Sequence, residues 1–95
     1  MIISFAGYDF LDSKACLVCS HVIEGNPILA FFHDDDGDLH FSCGRDAHLE
    51  GDWLVVDIED VITRHSDLYE LPTVRMGEIA ERNARGEEWM IFRGT

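Results

Sequence analysis

Cys16-Leu17-Val18-Cys19 is a C-x-x-C pair, with His21 two residues on. Cys43 and His48 follow downstream at a C-x4-H spacing. Thiolates and imidazoles in this number suit a tetrahedral zinc ion, so Cys16, Cys19, Cys43 and His48 form a candidate metal-ligand set. Local geometry argues against that set. A zinc knuckle needs a tight turn between its cysteines. Leu17 and Val18 favour strand, where residues three apart point to opposite faces. The competing expectation is three buried cysteines acting as small hydrophobes, with no metal and no cofactor.

A Cys–His nucleophile pair is the other chemistry these residues suggest. The sequence supplies no glycine elbow beside a cysteine and no hydrolase pattern. No catalytic residue is assigned, and the chain is not expected to be an enzyme. Asp34, Asp36 and Asp38 alternate like the start of a calcium loop. That loop needs Gly at its sixth position and Glu at its twelfth, where this chain has Leu39 and Arg45. The run is expected to be a solvated hairpin tip. The glycines follow no phosphate-cradling spacing.

Charge is the strongest remaining signal. The 95 residues carry 19 Asp and Glu against 7 Lys and Arg, a formal net charge of −12. Between Lys14 and Arg64 the only basic residue besides histidines is Arg45. Such a surface repels nucleic acid and anionic membranes. It suits steering towards a basic protein. The candidate partner-binding residues are Asp34, Asp35, Asp36 and Asp38, with Glu50, Asp52, Glu59 and Asp60 expected nearby.

The elements that must position these residues follow from pattern. Residues 1–95 are expected to form one domain, with a short strand at Met1–Phe5 leading into a loop. Ala15–Val22 reads as a strand and Glu24-Gly25-Asn26-Pro27 as a turn. Ile28–His33 reads as a strand buried on both faces. The Asp-Gly turn at 34–38 leads to a strand at Leu39–Cys43, with Leu39, Phe41 and Cys43 on one face. Gly44–Gly51 reads as a loop or a single helical turn. Trp53–Ile58 is a strand entering a helix capped by Asp57, with Ile58, Val61, Ile62 and His65 on its buried face. Pro72 ends the helical region. Gly77–Phe92 reads as strand, turn and strand, or as a helix at Glu78–Arg85 capped by Gly86. The sum is an α+β fold, a mostly antiparallel sheet with one or two helices packed on one face. The Trp residues are expected in the core or at its edge. No apolar run is long enough to span a membrane. The N-terminus carries no positive leader, and three cysteines fit reduced thiols, so a cytoplasmic location is expected.

Cys16–Val22, the hairpin at Asp35-Asp36-Gly37-Asp38 and Phe41-Ser42-Cys43-Gly44 together resemble a family of small bacterial proteins of unknown function. Asp67, Leu68, Leu71, Pro72, Gly77, Ala80, Arg82 and Trp89 extend the resemblance over most of the chain. Leu39-His40 stands where the pattern has an aromatic, and Ser66 near its Asp-Pro. That family is similar to immunity proteins of polymorphic toxin systems. The resemblance implies an α+β domain that neutralises a cognate toxin by binding it. It supplies no catalytic residue.

Overall fold

In the computed structural model, residues 1–44 and 50–94 are described. Eight strands form two sheets: β1 (Ile2–Phe5), β2 (Tyr8–Leu11), β3 (Ala15–Cys19), β4 (Ala30–His33), β5 (Leu39–Ser42), β6 (Trp53–Asp57), β7 (Glu78–Glu81) and β8 (Met90–Arg93). Two short helices, α1 (Ser20–Ile23) and α2 (Ile58–Arg64), and 3-10 turns at Glu50–Asp52 and Ser66–Glu70 complete the described elements. The fold is α+β. The main sheet has the order β6-β3-β5-β4-β7-β8, antiparallel except for the β3–β5 pair.

β1 and β2 form a separate hairpin. The stretch after Phe5, expected as loop, is its turn and returning strand. Ala6 and Gly7 both adopt positive φ, 54° and 82°, as a two-residue turn with the twist of its strands requires. An Ala-Gly turn is a weaker sequence signal than Asn-Gly, which is why the second strand escaped the pattern. Ala15–Val22 also divides: β3 stops at Cys19, and Ser20 begins a single helical turn.

Register defines the two faces of the main sheet. One face carries the row Val18, Phe41, Phe31, Ala80 from β3 to β7, all fully buried. The hairpin covers it: Phe5 packs on Phe31 and Phe41, with ring centroids 5.6 and 6.1 Å apart. Ile58, Val61 and Ile62 of α2, with Leu68, Leu71 and Val74, join the same core. α2 starts at Asp57 as expected, yet the Asp57 carboxylate makes no capping hydrogen bond. β4 is buried on both faces at Ala30 and Phe31, and its burial on the second face is partial only at Phe32. Phe31 and His33 are buried, whereas Phe32 points to the opposite, half-exposed side.

The acidic hairpin forms where the Asp-Gly pair placed it. Gly37 N–H donates to the Asp34 carbonyl at 2.9 Å, and Asp34 N–H to Asp38 at 2.9 Å. Gly37 closes this three-residue loop at φ 91°. A Cβ at Gly37 would meet no atom within 4 Å, so a substitution there suffers backbone strain alone. At Gly7 a Cβ would also lie 2.5 Å from Thr73 Oγ1. Gly37→Val is therefore expected to cost about 1 kcal/mol or more. Gly7→Val should cost more than Gly37→Val, because Thr73 must also move. Denaturant unfolding of both variants checks the ranking; an unchanged midpoint for Gly37→Val would contradict the strain.

Candidate protein-binding surface

The second face of the main sheet is buried at Cys19, Ala30 and Ser42 but half-exposed along its middle, where it holds a row that runs in register across all six strands. Val55 pairs with Leu17, Leu17 with His40, His40 with Phe32, Phe32 with Ile79, and Ile79 with Phe92. Val55 is 70% exposed and Phe92 43%. Leu17, His40, Phe32 and Ile79 are half-buried. Trp53 lies beside the row, its ring 6.2 Å from His40, and Phe32 approaches His40 from the other side at 6.4 Å. Met90, 55% exposed, shares this face on β8. A contiguous apolar stripe of this kind is a feature that soluble monomers usually keep small.

The candidate carboxylates divide between the two ends of the sheet. Asp35, Asp36 and Asp38 are exposed on the β4–β5 turn, and Asp34 is half-buried there. Asp34 Oδ2 lies 2.9 Å from His40 Nε2, so this turn reaches the apolar row directly. Asp36 Oδ1 accepts the Asp38 N–H at 3.0 Å. Ala15 pairs with Asp57, which brings the start of α2 to the same end of the sheet as the turn. Glu59 and Asp60, exposed in the first turn of α2, therefore join the hairpin acids at this end. Lys14, Arg75 and Arg93 also belong to it, so the rim is predominantly rather than uniformly acidic.

Asp52 does not join them. It precedes Trp53, which pairs with Cys19 at the far end of β3. Glu50 starts the 3-10 turn at that same far end. Sequence proximity to Asp57 suggested one patch, but β6 carries the chain across the sheet in between.

The cysteines separate in a similar way. Cys16 faces the core and its Sγ lies 3.6 Å from the Lys14 carbonyl. Burial pushes its thiol up to about 12; Lys14 opposes this and Asp57 adds to it. A thiol so protonated is no nucleophile at neutral pH. Cys19 and Cys43 instead meet His21, and the three donor atoms lie within 4.8 Å of one another. Cys16 stands outside this group, as its strand position requires. His48 falls outside the described residues.

The residues that carry the family resemblance have structural positions. Arg82 is buried and donates from Nε and Nη2 to the Ile28 carbonyl at 3.1 and 3.0 Å. Nη2 also pairs with the Asp67 carboxylate. The guanidinium lies 4.2 Å over the Trp89 ring. Leu68, Leu71 and Ala80 are core residues. Among the described residues, no helix is long and apolar enough to cross a membrane. No protein-family model, curated protein or solved structure matches the chain.

Burial alone would raise the Asp67 pKa, but the Arg82 hydrogen bond and charge, aided by Arg85, hold it below its ordinary 3.8. A depressed carboxyl pKa contributes stability that is complete above the unfolded value. That contribution fades as pH falls through the folded one. Asp67→Asn should thus destabilise by about 2 kcal/mol at neutral pH, since it leaves a buried arginine without its counter-charge. The gap to the unsubstituted protein should close in acid, below the usual carboxylate range. Urea unfolding of both proteins across pH checks the sign; a gap that widens on acidification would contradict it.

Proposed function

We propose that this protein is a cytoplasmic, non-catalytic immunity protein that binds a cognate toxin and occludes its basic active-site cleft. The observation that carries the reading is the apolar row Val55–Leu17–His40–Phe32–Ile79–Phe92, joined through the Asp34–His40 pair to an acidic rim. An apolar centre with a charged edge is the layout of a protein interface. The choice of a toxin as the partner rests on the sequence resemblance. The preference for a basic one rests on the charge.

Size decides how much of the surface must take part. Six strands at about 4.8 Å spacing and roughly 15 Å length give a face of about 350 Å². A stable interface needs about 800 Å² per partner. The sheet face alone is too small, so the footprint extends over the hairpin at 34–38 and the first turn of α2. Val55 and Phe92 then act as anchors that slow dissociation. The carboxylates accelerate encounter, and salt screens that acceleration. Singly, exposed ion pairs contribute only about 0–1 kcal/mol.

The test begins with the partner captured from the native host and identified. Association and dissociation rates are then measured at low and high salt. Replacing Asp34, Asp35, Asp36 and Asp38 by Asn is expected to slow association and to leave the fold intact by circular dichroism. Val55→Glu is expected to speed dissociation. An acidic partner, a salt-insensitive association rate, or a stable dimer of this chain burying the same face would overturn the proposal.

A further inference from the structure

We infer that Cys19, His21 and Cys43 form a binding site for a thiophilic metal ion, zinc above all. The fold brings the three together from separate elements. Cys19 ends β3, His21 lies in α1 immediately after, and Cys43 follows the last residue of β5. β3 and β5 are parallel neighbours, with Val18 opposite Phe41, so both strands deliver a cysteine to the same end of the sheet. Gly44 N–H donates to Ser42 Oγ at 3.0 Å, which holds the turn around Cys43.

The donor spacing is close to what a metal needs. Tetrahedral zinc, with bonds of about 2.3 Å to sulfur and about 2.0 Å to nitrogen, sets ligand atoms roughly 3.5–3.8 Å apart. Here Cys43 Sγ lies 3.7 Å from His21 Nδ1, and all three donor atoms fall within 4.8 Å. The Cys43 N–H donates to Cys19 Sγ at 3.3 Å. An amide aimed at sulfur stabilises a thiolate more than a thiol, and outer hydrogen bonds of this sort orient metal ligands. Cys19 and Cys43 are 0% and 3% exposed, whereas His21 is half-buried and gives the ion a way in. Two thiolates and one imidazole select zinc over magnesium or calcium. Three protein ligands leave one tetrahedral position for water or an external ligand.

Binding would tie α1 and the end of β3 to the end of β5, far from the acidic hairpin. The site lies at the opposite end of the sheet from those carboxylates, and Cys19 pairs with Trp53 beside the apolar row. Deprotonated Cys19 and Cys43 donate their sulfur lone pairs, and the two thiol protons pass to solvent.

The experiment uses the full chain, reduced and metal-free. Zinc affinity is measured by competition with a chromophoric chelator, and cobalt(II) is added as a spectroscopic probe. One zinc ion per chain is expected, with cobalt giving sulfur-to-metal charge-transfer bands and zinc raising the melting temperature. Cys43→Ser and His21→Ala should each weaken zinc by more than about 100-fold, beyond the loss expected of an outer-shell partner. Cys16→Ala should leave it within about threefold, because Cys16 touches no metal; circular dichroism of the metal-free variants separates ligand loss from unfolding. Failure of the reduced protein to bind zinc would overturn the inference. So would binding that Cys16→Ala abolishes and His21→Ala spares.

Discussion

Phe5 of the β1–β2 hairpin rests on Phe31 and Phe41, and this contact fixes which face of the main sheet is dry. A sheet has two apolar-capable faces, and the described elements cover one more fully than the other. The hairpin, α2 and the segment through Leu68, Leu71 and Val74 all go to the Phe31–Phe41 side. Everything else follows from that allocation. The face bearing Leu17, Phe32, His40 and Ile79 keeps its apolar side chains half in water.

The same allocation explains the position of the charges. Turns and helix starts are where carboxylates reach solvent without disturbing a core. β4–β5 and β6–α2 place two such sites at one end of the sheet, beside the open face. Asp34 joins the two kinds of surface through His40. The far end, where β3 and β5 deliver Cys19 and Cys43 beside His21, gathers sulfur and imidazole, and Glu50 and Asp52 enter β6 there.

Arg82 holds the remaining element in place. β7 would be a poor strand by its own sequence, Glu-Ile-Ala-Glu. Its neighbour Arg82 ties the chain to Ile28, Asp67 and Trp89 at once. A buried guanidinium is costly unless its donors are met. Nε and Nη2 meet theirs at Ile28 and Asp67, which ties the end of β7 to the chain on both sides of it.

Sequence alone determined the α+β class, the hairpin at 34–38 and the strand-to-helix passage at Asp57; at the end of the chain it left strand–turn–strand and a helix at Glu78–Arg85 open, and pairing of β7 with β4 and β8 decided for strands. The first three are local: Asp-Gly chemistry, a capping position and apolar periodicity act within a few residues. Sequence also argued against Cys16 sharing a metal with Cys19, because strand geometry is itself local, while keeping both in one candidate set. Tertiary structure decided what depends on pairing between distant strands. Trp53-Leu54-Val55-Val56 is apolar at every position, so no alternation reveals that Val55 faces water. Residue types put Cys19 and Cys43, 24 residues apart, in one candidate set, but only the pairing of β3 with β5 selects His21 as the residue that meets them. Asp52 and Asp57 are five residues apart and sit at opposite ends of β6. A strand converts closeness in sequence into distance, and a sheet converts distance in sequence into contact; neither is written in the local pattern.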